Sequence, residues 1–142
     1  MTIARITELA RVFRSVLEHT DPEHLPITLR SFPHGACGDA ALLLAKFLEQ
    51  HGHRGFGYML GSRGEWSHAW LQRGLLVVDI TADQFDDVTA PVIVSTCSDW
   101  HAALNGKAEN SADFTQYDAR TSGMLAAAYE RICALLPDSS RP

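Results

Sequence analysis

The chain has 142 residues, of which 46% are hydrophobic and 20% are charged, a composition typical of one soluble globular domain. The formal net charge of −5, from 12 basic and 17 acidic side chains, disfavours binding to nucleic acid or to an anionic membrane. The charged N-terminal residues do not predict a secretory signal, and no apolar stretch approaches the ~18 residues of a membrane span. Its three cysteines (Cys37, Cys97 and Cys133) are odd in number and far apart, which predicts free thiols in a reducing cytoplasm.

The N-terminal third predicts two helices separated by irregular chain. Apolar side chains recur at helical spacing over residues 2–18, which predicts an amphipathic helix. Residues 20–33 contain three prolines and predict an irregular connection. A second helix is predicted over 37–50, before Gly52, a common signal for a helix end. Apolar residues cover most of this second helix, so we expect it to be buried and central.

The middle of the chain predicts antiparallel strands. Residues 56–60 have a strand pattern, and the glycine-containing segment 61–64 predicts a turn. Two further β-rich runs follow, and only Arg73 and Gly74 separate them, which is the spacing of a two-residue hairpin. Residues 91–95 predict another strand, and the proline at its start indicates an edge position.

The C-terminal third is less regular. Residues 99–120 are polar and carry no clear pattern, whereas residues 122–136 predict a last helix. The predicted apolar stripe of this helix consists of Met124, Ala128, Ile132 and Leu135. Residues 137–142 are expected to form a flexible tail after a single domain over 1–136. Helices followed by hairpin-connected strands and a final helix predict an α+β fold.

The predicted hairpin brings a histidine and an aspartate together. With Arg73 and Gly74 as its loop, Gln72 pairs with Leu75, and His68 lies opposite Asp79. Directly opposed residues point to the same face with Cβ atoms about 5 Å apart, so the carboxylate can bind one ring nitrogen and leave the other free. A charge within an apolar strand is also unfavourable without such a partner.

Cys37 is the candidate nucleophile. It begins the second predicted helix, where the helix dipole favours the thiolate. A free cysteine at a helix start is more often a small buried apolar residue. The predicted pairing of His68 with Asp79 favours the catalytic interpretation, with the histidine as base and the aspartate as its orienting partner.

Five other residues are candidates for supporting roles. His34 stands three residues before the cysteine and is a rival base or a substrate contact, although such a neighbour more often points to solvent. Trp70 shares the face of the histidine and is either a wall of the site or a core residue. Thr81 and Gln84 follow the catalytic aspartate and are candidates for fixing its carboxylate or contacting substrate. Asp83 competes for the orienting role, but a turn or cap role is favoured for it.

Metal binding is not predicted. Ligand-type residues occur in pairs at His34 and Cys37, at His51 and His53, and at Cys97 and His101. These pairs do not form the repeated CxxC set of a structural zinc site, and free cysteines with surface histidines explain them more simply. We therefore expect no metal and no cofactor.

Three motifs in order resemble the transglutaminase-like branch of the papain-like superfamily. They are Gly-Ala-Cys-Gly-Asp at 35–39, Ser-His-Ala-Trp-Leu at 67–71 and Val-Asp-Ile-Thr-Ala-Asp-Gln-Phe at 78–85. The resemblance covers roughly residues 33–85 and implies a nucleophile helix packed on a small antiparallel sheet. It implies Cys37 as nucleophile, His68 as base and Asp79 as orienter. Small bacterial members of this branch include thiol peptidases, deamidases and acyltransferases.

One departure from the papain pattern concerns the oxyanion hole. Papain-type enzymes carry a glutamine before the cysteine, but the first glutamine here is Gln50. Backbone amides, that of Cys37 first, would then have to serve, together with a donor that the motif leaves unassigned. The resemblance implies a thiol-dependent amide hydrolase, a peptidase or glutamine deamidase, that acts on a peptide or protein. The alternatives are an acyltransferase with the same triad and an inactive protein-interaction module.

Overall fold

A computed structural model describes residues 2–109 and 111–142, and this part of the chain is an α+β structure. Its helices are α1 (Thr2–His19), α2 (Cys37–Gln50), α3 (Asp99–Ala102) and α4 (Ala119–Ala134). Its antiparallel sheet has the order β4-β3-β2-β1-β5, with strands β1 (Gly57–Arg63), β2 (Trp66–Arg73), β3 (Leu76–Asp79), β4 (Ile93–Ser95) and β5 (Lys107–Ala108). None of these helices is long and apolar enough to cross a membrane.

Helices α1 and α2 form the apolar centre of the fold. The predicted amphipathic pattern of α1 is confirmed, because its buried residues include Ile6, Leu9, Ala10, Phe13 and Leu17. Most residues of α2 between Ala40 and Leu48 are buried, as predicted for a central helix. The rings of Phe13 and Phe47 pack with their centroids 4.9 Å apart and join the two helices. Because α2 also packs on β2, this core determines where the first residue of α2 lies relative to the sheet.

The β1–β2 hairpin is longer than predicted. The turn expected over residues 61–64 is wrong, because β1 continues to Arg63, which pairs with Trp66. The loop consists of Gly64 and Glu65. Gly64 has a φ of 62°, the left-handed conformation that short hairpin loops require and that glycine adopts without strain.

The β2–β3 hairpin has a different register from the predicted one. Its loop is Gly74–Leu75, and Arg73 pairs with Leu76, so the strands are shifted by two residues relative to a loop of Arg73 and Gly74. Gly74 has a φ of 60° and stands at the first loop position, where a type II′ turn requires glycine. The glycine therefore begins the turn instead of ending it.

A second, smaller apolar cluster lies on the other face of the sheet. It comprises Trp70, Val77 and Leu104, with Met59 and Trp100 partly buried against it. The indole of Trp70 lies so close to two glycines that side chains there would clash with it. An added Cβ atom would lie 2.5 Å from the ring at Gly106 and 2.9 Å from it at Gly61. Both glycines thus permit the close approach of backbone to this ring.

Helix α4 begins earlier than predicted. It starts at Ala119 because the side chain of Asp118 accepts a hydrogen bond of 2.9 Å from the backbone N–H of Thr121. The buried face consists of Leu125, Ala128, Tyr129 and Ile132. The predicted stripe is therefore wrong at Met124 and Leu135, which are 39% and 58% exposed. The segment without a clear pattern contains α3 and β5, and β4 lies at a sheet edge as predicted.

Residues 137–142, expected to be a flexible tail, contact the rest of the chain. The carbonyl oxygen of Ser140 lies 2.8 Å from Nε2 of His51, at the end of α2. The guanidinium of Arg141 donates hydrogen bonds to the carbonyl oxygens of Ala134 and Leu136 at 3.0 and 3.1 Å. These contacts supply partners for carbonyls that the end of α4 leaves free, and they hold the segment against the body.

Candidate active site

Cys37 is half-buried at the first position of α2. Ala36, which precedes it, provides no side-chain cap, and the positive end of the helix dipole lies at the thiol. Burial alone would raise the pKa of Cys37. The hydrogen bonds to His68 and to the backbone of Ala69, with the charge of His68 and a hydrogen bond to Gln84, instead lower this pKa below its ordinary value. The site therefore favours the thiolate.

His68 is completely buried on β2, and its Nε2 lies 2.7 Å from Oδ2 of Asp79 on β3. The predicted partners thus meet even though the predicted register is wrong. The observed register, continued along the strands, places Thr81 opposite His68 and leaves Asp79 as a diagonal neighbour. A shift by an even number of residues keeps a side chain on the same face of a strand, and a long side chain reaches its diagonal neighbour.

The other ring nitrogen of His68 faces the thiol. Nδ1 lies 3.1 Å from Nε2 of Gln84. Both His68 and Gln84 lower the pKa of the Cys37 thiol, and Asp79 already occupies Nε2, which indicates that the sulfur lies on the Nδ1 side of the ring. Burial alone would lower the pKa of His68. The hydrogen bonds and charges of Asp79 and Cys37 overcome this effect and raise the pKa to about 9. Imidazolium and thiolate therefore stabilise each other.

Both oxygens of Asp79 accept hydrogen bonds. Oδ2 accepts from Nε2 of His68 and from Nε2 of His101, the latter at 2.6 Å. Oδ1 accepts from the backbone N–H of Thr81 at 2.8 Å and lies 3.4 Å from its hydroxyl. Burial alone would raise the pKa of this carboxyl, but the bonds from His101 and His68 hold it far below its usual range. Both oxygens of this buried carboxylate thus have hydrogen-bond donors, which offset the cost of burying its charge.

His101 is the site residue that the sequence did not identify in this role. It lies on α3, which begins after Ser98, and it is buried. The hydroxyl oxygen of Ser98 accepts the backbone N–H of His101 at 3.3 Å and lies 2.6 Å from Nδ1 of its ring. Nε2 is thereby aimed at Asp79. A serine three residues before a histidine is a helix-cap signal, but nothing local indicates that this short helix reaches the end of β3.

Aromatic rings surround His68. The ring of Trp70 packs at 5.9 Å between centroids with an interplanar angle of 22°, and the rings of Phe85 and Trp100 contact it edge-on at 5.4 and 5.5 Å. Trp70 is only 2% exposed, so it is a core residue that also packs against the imidazole of His68. These rings restrict water at the imidazole and strengthen the electrostatic interactions there.

The remaining predicted residues have different positions. His34 is exposed, as favoured for it. Asp83 does not orient His68, because both of its carboxylate oxygens bind the guanidinium of Arg14 at 2.7 and 2.8 Å. This ion pair fixes the turn that carries Gln84, whose side-chain oxygen accepts the backbone N–H of Gly35 at 3.3 Å. Asp83 therefore supports the loop instead of the imidazole.

The buried group of His68, Asp79 and His101 has ligand atoms within 4.8 Å of one another and is the candidate for holding a metal ion in the described part of the chain. Its two Nε2–Oδ2 distances, 2.7 and 2.6 Å, are hydrogen-bond lengths. Two ligand atoms at about 2.0–2.1 Å from a tetrahedral zinc ion are roughly 3.3 Å apart. The Nε2 and Oδ2 atoms would therefore have to move apart before the group could bind zinc. The geometry fits a hydrogen-bonded cluster better than a metal centre.

Comparison of the chain with protein-family models, with curated proteins and with solved structures gives no match.

Proposed function

We propose that the protein is a thiol-dependent amide hydrolase in which Cys37, His68 and Asp79 form a catalytic triad. The observation that carries this proposal is the position of His68, a fully buried imidazole with a carboxylate on Nε2 and a thiol on the Nδ1 side. A histidine between an orienting carboxylate and a nucleophile is the arrangement that activates serine and cysteine nucleophiles on unrelated folds.

The proposed reaction begins with attack of the Cys37 thiolate on an amide carbonyl carbon. The carbonyl electron pair moves onto oxygen, and the resulting oxyanion lies near the free backbone N–H of Cys37 at the helix start. Collapse of the intermediate breaks the C–N bond, and the His68 imidazolium protonates the leaving amine. The thioester is then hydrolysed by a water whose proton passes to His68, which releases a carboxylate and restores the thiol.

The α+β architecture supports placing the protein in the transglutaminase-like branch of the papain-like superfamily, which the sequence motifs resemble. The supporting features are a nucleophile at the head of a central helix and a histidine and aspartate on neighbouring antiparallel strands. A peptide or a protein side-chain amide is the proposed substrate, and the reaction needs no cofactor. The three free cysteines support a reducing compartment, for which we propose the cytoplasm.

The direct test is selective labelling of Cys37. At pH 6 a haloacetamide should alkylate Cys37 far faster than Cys97 or Cys133, as measured by peptide mass spectrometry at timed intervals. Burial raises the pKa of Cys133, so this half-buried cysteine is an internal control for accessibility without activation. His68→Ala should make the alkylation rate of Cys37 similar to those of Cys97 and Cys133. Equal rates at all three cysteines in the wild-type protein would exclude both the hydrolase and the acyltransferase, and would favour an inactive interaction module.

Acyl transfer to an amine is the second candidate function, and the aromatic surroundings of His68 favour it. Trp70, Phe85 and Trp100 limit the approach of water to the imidazole that must activate it. An acyl-enzyme formed on Cys37 would then partition toward a primary amine. The test is to form this thioester and to measure, by mass spectrometry, the amide and carboxylate products as methylamine is added. A carboxylate yield that does not change with amine concentration favours the hydrolase.

A further inference from the structure

The side-chain amide of Gln84 is held on both sides. Its oxygen accepts the backbone N–H of Gly35, two residues before the nucleophile, at 3.3 Å. This bond assigns the orientation of the amide, because a backbone N–H requires an acceptor, and it directs the NH₂ group toward the site. Nε2 accordingly lies 3.1 Å from Nδ1 of His68, and Gln84 is close enough to Cys37 to help lower the pKa of its thiol.

The backbone of Gln84 is fixed as well. Gln84 is the last residue of the 3-10 turn Ala82–Gln84. In this turn Ala82 is buried, and Asp83 forms a bidentate ion pair with Arg14. Arg14 also donates to the carbonyl oxygen of Ile80, at the start of the same loop, at 2.7 Å. A donor held in this way loses little conformational entropy when it binds, which is the requirement for preorganised stabilisation of a transition state.

The Gln84 amide has an acceptor in each protonation state of the nucleophile pair. When thiol and imidazole are neutral, Nδ1 of His68 accepts its N–H. When the proton has moved to His68, the Cys37 thiolate accepts it instead, and this bond contributes to the lowered pKa of the thiol. During attack the negative charge moves from sulfur to the carbonyl oxygen, less than 3 Å from sulfur in a tetrahedral intermediate by covalent geometry. The donor that stabilised the charge on sulfur is then beside the charge on oxygen.

We infer that Gln84 is a catalytic residue whose side-chain amide, together with the backbone N–H of Cys37, binds the oxyanion of an acyl substrate. This inference rests on the proposed function and supplies the donor that the missing glutamine before the cysteine leaves open. The amide reaches the nucleophile from the loop after β3 instead of from the chain before α2. Gln84 is partly exposed, so an incoming acyl group can reach it.

A second protonated donor near the nucleophile is Tyr58. Its hydroxyl would lie 2.9 Å from a Cβ atom at Gly38, and burial, with the negative charge of Cys37, raises its pKa to about 12. It is therefore a phenol at neutral pH, which makes its hydroxyl the competing donor near the nucleophile. The experiment must compare the two residues.

The test uses two reagents that react with the same thiol. Acetylation by p-nitrophenyl acetate passes through a tetrahedral oxyanion: the C–S bond forms, the C–O bond breaks, and p-nitrophenolate leaves. Alkylation by iodoacetamide displaces iodide at a saturated carbon and forms no oxyanion. Second-order rate constants at Cys37 are measured with both reagents on the pH plateau of each variant, which removes the contribution of thiolate formation. Gln116→Ala, at an exposed glutamine, is the matched control.

Gln84→Ala should lower the rate constant for acetylation on the order of 100-fold while alkylation changes little, and the control should change neither. Gln84→Glu, which keeps the size and the acceptor for Gly35, should lower acetylation at least as far, because a carboxylate repels the oxyanion. Equal changes in both reactions, or a loss in Tyr58→Phe without one in Gln84→Ala, would overturn the assignment. If wild-type Cys37 reacts no faster than Cys133 with either reagent, the proposed function fails and this inference fails with it.

Discussion

At the level of single residues, the hydrogen bonds of Asp79 determine how the site responds to substitution. One oxygen accepts from Thr81, and the other accepts from His68 and His101. An asparagine has only one oxygen for these two groups of donors. The backbone N–H of Thr81 cannot change its role, whereas a histidine can move its proton to the other nitrogen. The asparagine oxygen should therefore face Thr81, and its NH₂ should face the histidines.

We predict that Asp79→Asn forces His68 into the tautomer with its proton on Nδ1, so that it cannot accept a proton from Cys37. Turnover should fall by a factor on the order of 10⁴, as for other triads that lose the orienting carboxylate. The protein should still fold, with a loss of about 1–3 kcal/mol in the free energy of unfolding. Steady-state kinetics and urea denaturation measure the two effects. Asp83→Asn is the control and should keep most activity; the opposite ranking would contradict the assignment of the orienter.

The pH dependence follows from the coupled thiol and imidazole. As pH rises, the thiolate forms at a pH below the ~8.5 of free cysteine, because the pKa of Cys37 is lowered. The imidazolium, which in the proposed reaction protonates the leaving amine, is lost as pH rises through the His68 pKa of about 9. The pH–rate profile for amide turnover should therefore be bell-shaped, with its alkaline limb near pH 9. In Asp79→Asn the charge that raises this pKa is gone, and the alkaline limb should move to lower pH; an unmoved limb would contradict this account.

At the level of elements, the loop between β3 and β4 is attached to α1 through one side chain. Arg14 is buried and binds Asp83, the carbonyl oxygens of Ile80 and Pro91, and Glu18 in the next turn of its own helix. The loop therefore depends on a residue about 70 positions earlier in the chain, and its position decides where Gln84 lies. Long-range hydrogen bonds from one buried side chain therefore position this loop.

Arg14→Ala should lower the free energy of unfolding by about 2–3 kcal/mol, less than for a fully buried pair because both carboxylates reach water. It should also slow acylation of Cys37 through displacement of Gln84. Arg11→Ala, at an exposed position one turn earlier, is the matched control and should change stability by less than about 0.5 kcal/mol. Guanidinium denaturation distinguishes them. Similar losses in both variants would show that the ion pair does not fix the loop.

The packing of Trp70 gives a second prediction at this level. Gly106→Ala would place a methyl group 2.5 Å from the indole, which must then move away from its stacking position on His68. We expect a destabilisation of roughly 1–3 kcal/mol and slower alkylation of Cys37. Gly123→Ala in α4 meets nothing within 4 Å and should stabilise the protein by roughly 0.5–1 kcal/mol. Thermal unfolding of the pair should give shifts of opposite sign, and shifts of the same sign would contradict the packing argument.

At the level of the whole molecule, α2 connects the candidate site with the C-terminal segment. Cys37 is its first residue, and His51, just after its last, lies against the carbonyl of Ser140. A helix of 14 residues is about 21 Å long, so the two ends are well separated. The candidate site lies at one end of the central helix, and the contact with residues 137–142 lies at the other.

Removal of residues 138–142 should therefore affect stability without affecting reactivity. The loss of the contacts that Ser140 and Arg141 make should lower the free energy of unfolding by about 1–3 kcal/mol. The rate at which iodoacetamide alkylates Cys37 should remain that of the full chain, measured under conditions where both proteins are folded. Unchanged stability would mean that the segment is as flexible as the sequence predicts, and slower alkylation would mean that the two ends of α2 are coupled.

The sequence by itself determined the features that depend on local periodicity and on chain order. Helical spacing of apolar residues located α1, an apolar run that ends before Gly52 located α2 with Cys37 at its start, and β-rich runs located the strands of His68 and Asp79. The pairing of these two residues was predicted despite a register error of two, because an even shift preserves the face. Glycine marked the β2–β3 loop correctly, but whether it begins or ends a two-residue turn depends on its φ, which no local pattern supplies.

Only the tertiary structure decided which distant residues complete the site. His101 reaches Asp79 from a short helix and Gln84 reaches His68 from a loop, whereas Arg14 on α1 binds that loop. The side chains of these three residues carry no periodic signal. Their roles come from hydrogen bonds between residues that are far apart in the sequence. A buried carboxylate requires donors, and a loop carbonyl requires a donor as well. Many residues in the chain could supply such a donor. Which residue does so is set by how the helices pack on the sheet, and packing is a property of the whole chain.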